Sequence, residues 1–363
     1  MSKLKLNFKV FDPRQVSEYG MGEKHARRLV SFGFINKLCD ASDVIVIADT
    51  MPDGRAILVS LTAVQEKLRC KSQIVVELTN RFDWLVYDSE KYYKMLKRLI
   101  EKPPPNLHWT QNNPFEEVYF KMRVGVSPKK MRLLRSMGGV NVRYDDNNNT
   151  AAIETPEMAE RLALIKDLQE TYKPKIGDVL DYLCMPHAKL PKKYGGPEAL
   201  LKYKGFIEFP YQVSVMKFYE NVANGVPQVI PSARLMKGVV QSNNHHYFDC
   251  WLAALEEGSL MLSNPDRFLK EKKKDIGFHG VDRSYNASWI ELSDFYSTEF
   301  QPFVYYFDSF RELGDLINKP ASQFDVKNVR VEGPKFYEKV RQQTLTTWET
   351  LFHEINFTHV RLK

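Results

Sequence analysis

Two short apolar runs, Asp43-Val-Ile-Val-Ile-Ala48 and Gln73-Ile-Val-Val-Glu-Leu78, constrain this chain more than any other feature. Each has the length of a strand and stops at polar residues, Asp49 after the first and Thr79-Asn80 after the second. A strand without polar alternation is covered on both faces, as in a parallel sheet between helix layers. The neighbouring segments fit that sheet. Leu4 to Phe11 alternates as a strand does, and Glu23 to Phe34 has helical character. Ser89 to Ile100 opens on an N-cap serine, sets Tyr93, Leu96 and Ile100 at helical spacing, and stops before Pro103-Pro-Pro105. Leu107 to Thr110 is a short strand, and Asn113-Pro114 opens another helix with proline at its first position. Strand and helix alternating at this spacing predict a parallel α/β sheet with helices on both faces.

The pattern then breaks and starts again. Asp145-Asp-Asn-Asn-Asn-Thr150 is polar, cannot bury enough apolar surface to order itself, and is the best linker in the chain. Pro156 is expected to begin a long helix through Met158, Leu162, Leu164, Ile165 and Leu168 that ends before Pro174. Asp178 to Cys184 reads as a strand, Pro197 to Tyr203 as a helix and Gly205 to Phe209 as a strand. Val213 to Asn224 follows as a helix and Val226 to Ile230 as a buried strand. Residues 240 to 300 are less regular, with a helix expected near Cys250 to Glu257, and Pro334 to Ile355 is a long amphipathic helix. The restart favours two similar α/β domains, over residues 1–137 and 138–333, with the last helix in 334–363.

A length of 363 residues suits two domains, and 22 Phe, 18 Tyr and 5 Trp supply ample core material. The net charge of +7 falls short of the concentrated charge of a dedicated nucleic-acid binder, so no nucleic-acid partner is expected. It suits a partner with a few phosphates, such as a nucleotide. No apolar stretch is long enough to span a bilayer and the first residues do not form a signal peptide, so a cytoplasmic protein is expected, with peripheral membrane contact left open. Cys39, Cys70, Cys184 and Cys250 are scattered, without CxxC spacing, and read as reduced thiols.

The most informative stretch is Gly205 to Ser232, physically a strand, a loop, a helix, a glycine turn and a strand. A helix beginning near Ser214 points its free N–H groups at the carboxyl edge of the sheet, where a diphosphate binds well. Glu220, about two turns in, can accept hydrogen bonds from both ribose hydroxyls of a nucleotide. Gly225 ends the helix, and Pro227 enters the next strand where no N–H is needed.

Glu220-Asn-Val-Ala-Asn-Gly-Val-Pro-Gln-Val-Ile-Pro-Ser232 resembles the donor-site segment of GT-B glycosyltransferases, in particular the retaining enzymes of the glycogen-synthase and sucrose-synthase type. Glu220, Ala223, Gly225, Val226, Pro227 and Val229 match the second half of their pattern. The resemblance implies two Rossmann-like domains facing across a cleft, with the last helix crossing back onto the first. It implies that Glu220 holds the ribose of a nucleotide-sugar donor; Tyr211, Ser214, Lys217 and Asn221 in the same segment are further donor-binding candidates. The first acidic residue of the family's pair falls at Gln212, which can bond a sugar hydroxyl but cannot offer negative charge to a developing cation. Outside residues 205 to 232 the resemblance is one of outline.

In the family, basic residues stand against the leaving diphosphate in place of a metal. Lys189 and Lys193, in His187-Ala-Lys-Leu-Pro-Lys-Lys-Tyr-Gly-Gly196 after the expected strand, suit that role and join Gln212 as catalytic candidates. Tyr19-Gly-Met-Gly-Glu-Lys-His25 resembles the Gly-rich loop after the first strand, where Gly20 and Gly22 would let the backbone approach the donor. His25, Asn80 and Arg81 are candidates for the acceptor or cleft; for each, a helix surface or loop-capping position is the plainer alternative. His245-His246 with Asp249 and Cys250 lacks a second cluster to complete a metal site, and Lys270 to Lys274 reads as a solvated face.

The expected activity is transfer of a sugar from a nucleotide-sugar donor to a hydroxyl of a glycan or other acceptor, with no metal and no cofactor. Two alternatives stay open: a nucleotide-sugar epimerase of the GT-B type, and a non-catalytic nucleotide-sugar-binding protein.

Overall fold

The structure is a computed structural model that describes residues 4–5, 9, 21–48, 51–79, 82–83, 86, 88–137, 162–165, 176–191, 193–210, 213–242, 288–320, 323–324, 326–355 and 361–362. The chain divides into two compact units. The first is Met1–Arg135, Leu260–Gly277 and Gln343–Lys363; the second is Ser136–Ser259 and Phe278–Gln342. Both contain parallel sheets, so the chain is a mixed α/β protein. The Asn-rich run, the expected helix near Cys250, His245-His246 and Lys270 to Lys274 lie outside the described residues.

In the first unit the described elements are β1 (Leu4–Lys5), α1 (Glu23–Ser31), α2 (Phe34–Asp40), β2 (Val44–Ile47), α3 (Arg55–Leu61) and β3 (Gln73–Leu78). They continue with α4 (Ser89–Glu101), β4 (Leu107–Gln111), α5 (Pro114–Val124) and β5 (Met131–Leu133). Strands β2, β3, β4 and β5 lie side by side in that order, all parallel. Ile74, Val75, Val76 and Leu78 of β3 are wholly buried, as an apolar run covered on both faces requires. Helix α5 starts where the sequence indicates: the Asn113 side chain accepts from Phe115 N at 2.8 Å, with Pro114 in the first turn.

Cys39, near the end of α2, is disulfide-bonded to Cys70, just before β3, with the Cα atoms 5.6 Å apart. The expectation of reduced thiols therefore fails for these two. The fold joins positions 31 residues apart in sequence, a proximity that spacing alone does not reveal. Cys184 is a free, exposed thiol.

In the second unit the chain forms β6 (Leu162–Ile165), α6 (Ile176–Tyr182), β7 (His187–Leu190), α7 (Pro197–Leu200), β8 (Gly205–Ile207) and α8 (Met216–Ala223). Then come β9 (Gln228–Pro231), α9 (Ala233–Ser242), α10 (Ser288–Leu292), β10 (Val304–Phe307), α11 (Phe310–Asn318) and α12 (Val326–Glu354); from Gln343 on, α12 and the following β11 (Arg361–Leu362) belong to the first unit. The sheet order is β7-β6-β8-β9-β10, all parallel. In order of appearance that is 2-1-3-4-5, a doubly wound arrangement whose direction of winding reverses between β6 and β8.

Three expectations are corrected here. Residues 162–165, expected in a helix, are strand β6, because a four-residue apolar run between two parallel neighbours needs no alternation. The expected strand at Asp178 to Cys184 is helix α6, which buries Gly177 and Leu180, three residues apart on one face. The last helix does not start at Pro334 but at Val326, and proline lies inside it. Close packing of α12 on the end of α8 accounts for its course: a Cβ on Gly225 would meet Arg330 Cα at 2.5 Å, and one on Gly333 would meet Val222 O at 2.9 Å. Of the expected strand Leu4 to Phe11, Leu4–Lys5 form β1, paired antiparallel with β11, and residues 6–8, 10 and 11 lie outside the described residues. No helix among the described residues is long and apolar enough to cross a membrane.

Candidate functional site

Ligands of an open parallel sheet bind beyond the carboxyl ends of its strands, next to the point where the winding reverses. In the second unit that point is the carboxyl end of β8, beside β6. Glu208 follows β8 directly and is wholly buried. Lys217, in the first turn of α8, places Nζ 2.7 Å from Glu208 Oε1 and 4.8 Å from the Phe206 ring centroid. Burial pushes the Glu208 carboxyl up and the Lys217 amine down, and in each case the partner opposes the shift.

Ser214 lies between β8 and α8. It is buried, and its hydroxyl has no hydrogen-bond partner among the described residues. Because α8 follows a strand of this sheet and leads into β9, its N-terminus faces the carboxyl edge, with N–H groups directed there. Glu220 is half-buried in the middle of α8. Burial, followed by Glu208 and then Glu220, pushes the Tyr194 hydroxyl up to about 12. Burial likewise takes Tyr337 of α12 up to about 12, with Glu220 contributing. The negative field of Glu220 therefore reaches Tyr194, from the loop after β7, and Tyr337, from α12.

The remaining sequence candidates of this unit separate. Lys193 is exposed in the loop after β7, immediately before Tyr194 and the positive-φ pair Gly195 and Gly196. Lys189 is not in a loop but in strand β7, where it pairs with Asp181 of α6. Together with Cys184, Met185 and His187 these two residues line an open cleft of about 470 Å³ where α6 leads into β7. That cleft is at the amino edge of the sheet, away from the edge that binds ligands in such folds. Asn221 belongs to the core: it has no exposed surface, and its side chain donates to Gln228 Oε1 at 3.4 Å across the α8–β9 turn. Tyr211 and Gln212 lie outside the described residues.

In the first unit, Gly22 is the N-cap of α1 with an ordinary φ of −73°, and His25 on the same helix is exposed. Gly20, Asn80 and Arg81 lie outside the described residues, but the two residues after Arg81 are firmly held. Phe82 is wholly buried, and the Asp83 carboxylate accepts from Arg123 Nε at 3.1 Å and from Tyr93 Oη at 2.6 Å. Asp83 therefore anchors the turn after β3 and is a structural group. Asn113 is a helix cap, as expected where Asn113-Pro114 opens a helix.

Sequence reasoning missed Glu208, Tyr194, Tyr337 and the buried Arg55 of the first unit. The signal for Glu208 was present: a carboxylate in Phe206-Ile-Glu-Phe-Pro210 is an acid inside an apolar strand and requires a cationic partner. Among the described residues no three His, Cys, Asp or Glu side chains gather as a metal would need.

Compared with known protein families, with curated proteins and with solved structures, the chain matches none of them.

Proposed function

We propose that the chain is a GT-B-type glycosyltransferase that moves a sugar from a nucleotide donor to an acceptor hydroxyl, with the donor held by the second unit. The observation that carries this reading is the position of Glu220: half-buried on the helix that begins at the carboxyl edge, beside the winding reversal of a 2-1-3-4-5 sheet. A carboxylate so placed accepts both ribose hydroxyls of a nucleoside. The N–H groups at the start of α8 and the Ser214 hydroxyl supply donors for the diphosphate, and Lys193 adds positive charge from the neighbouring loop. Lys217 is neutralised by Glu208 and shapes the floor of the site.

Gln212 favours a second reading, a nucleotide-sugar-binding protein without turnover, because an amide cannot stabilise a developing cation by charge. Thermal-shift measurements with UDP-, GDP- and CMP-sugars test the proposal, since a ligand that binds only the folded state raises its melting temperature. A shift with one nucleotide class, and release of free nucleoside diphosphate only when an acceptor is added, are expected. No shift with any class removes the reading, and a shift without turnover selects the binding protein.

A further inference from the structure

Helix α6 closes on two backbone bonds, from Cys184 N to Asp181 O at 3.0 Å and from Met185 N to Leu180 O at 2.9 Å. That pattern turns the residue after the helix left-handed and is normally built on glycine. Here Cys184 takes the place, with φ +52°, and among the described residues it is the only one other than glycine with positive φ. It is also a free and exposed cysteine.

The imidazole three residues on gives that thiol a partner. His187 is the first residue of β7, and its side chain is only 3% exposed. Its Nδ1 lies 2.8 Å from Met185 O. A carbonyl only accepts, so Nδ1 carries the proton, and Nε2 of the neutral ring is left with a lone pair. Nε2 is shielded from solvent and has no hydrogen-bond partner among the described residues. It is turned toward Asp181, whose Oδ1 stands 3.8 Å away, beyond hydrogen-bond reach. The Asp181 carboxylate is engaged by Lys189 instead. All four residues line the same open cleft of about 470 Å³, a volume suited to a small molecule.

We infer that Cys184 is a thiol-modification site for a small zwitterionic disulfide of the oxidised-glutathione class, with His187 as its base. The thiol proton passes to His187 Nε2, and the Cys184 sulfur attacks one sulfur of the ligand. A new S–S bond to Cys184 forms as the ligand's own S–S bond breaks, and the departing thiolate takes the proton from the imidazolium. The protein thiol is oxidised and half of the ligand leaves as a reduced thiol, so no further oxidant is needed. Asp181 and Lys189, both partly exposed, offer one charge of each sign to the ammonium and carboxylate of the bound half. The cleft is at the amino edge of the sheet, so the inference is independent of the glycosyl-transfer reading.

The test incubates the full chain with oxidised glutathione at neutral pH and follows the Cys184 peptide by mass spectrometry. Native wild type should gain one glutathionyl group at Cys184, at a rate that falls at least tenfold in His187→Gln. Wild type unfolded in urea is the second comparison and decides the matter if His187→Gln does not fold; there too Cys184 should react at least tenfold more slowly. Hydroxyethyl disulfide, which is uncharged, should show a smaller native-to-urea rate ratio than oxidised glutathione. The inference is overturned by no adduct at Cys184, by an equal rate in urea or in folded His187→Gln, by an equal ratio for the uncharged disulfide, or by a covalent dimer through Cys184 in place of the adduct.

Discussion

Lys217 Nζ lies 2.7 Å from Glu208 Oε1, and the two side chains are only 16% and 0% exposed. A pair this deep is held at the carboxyl edge of β8 because each charge compensates the other's desolvation. Removing one partner is costly, while replacing both is not. Glu208→Ala is expected to destabilise the protein by about 3–5 kcal/mol, as for other buried pairs that lose a partner. Glu208→Leu combined with Lys217→Met should recover most of that loss. Urea denaturation of the single and double variants measures both.

Hydrogen bonds from Arg234, and then from Ser232, hold the Asp308 carboxyl below its ordinary value of 3.8. Lys189 does the same for Asp181, and Lys130 for Glu354. With the folded-state value lowered, the unfolded chain takes up protons first as the pH drops. The stability these groups contribute is therefore complete above their ordinary range and disappears as pH falls through the lowered values. A urea midpoint measured from neutral pH down to about pH 2 should decline below about pH 4. Asp308→Asn should make the decline shallower, and an unchanged slope would exclude Asp308 from it.

The Cys39–Cys70 bond closes a stretch of 31 residues. In the loop-entropy account a bridge of that span contributes about 3–4 kcal/mol. Reduction, or Cys39→Ser with Cys70→Ser, is expected to lower the stability of the first unit by that order. Native alkylation should label Cys184, while Cys39 and Cys70 should react only after reduction, as mass spectrometry of the peptides would show.

Gly225 has φ +66°, and a Cβ there would strike the Arg330 backbone. Gly225→Ala therefore combines a left-handed conformation, costing about 1–2 kcal/mol, with an overlap that rigid backbone cannot relieve. Gly238, inside α9, is the contrast: a Cβ there meets nothing within 4 Å. Gly238→Ala should stabilise by about 0.5–1 kcal/mol, the usual cost of glycine in a helix. Thermal unfolding of the two variants should move in opposite directions.

The α/β character of the chain was legible because β2 and β3 are apolar runs with helical segments between the strands, and Asn113-Pro114 and Gly225 mark helix boundaries as their chemistry dictates. Leu162–Ile165 was not legible: four apolar residues fit a helix stripe or a buried strand equally well, and the deciding partners, β7 and β8, come later in the chain. Pro334 misled for a related reason. Its preference for a first turn is local, whereas the course of α12 is set by packing across Gly225 and Gly333. Of the candidate site, Glu220 could be placed from its own segment. The groups around it, Glu208, Tyr194 and Tyr337, come from three other parts of the chain and meet only through the fold. Lys189 and Asn221 show the converse, since residue type suggested ligands where the fold uses one in an ion pair and the other in the core.

The account depends most on Glu220 as the residue that holds the nucleoside. Its direct test is the melting temperature of wild type and Glu220→Ala with the nucleotide-sugar that stabilises wild type, each at saturating concentration. Wild type should rise by about 5–10 °C at roughly a hundred times the dissociation constant, given a domain of this size. Glu220→Ala should melt like wild type without ligand and show no rise with it. A rise of the same size in Glu220→Ala would contradict the account.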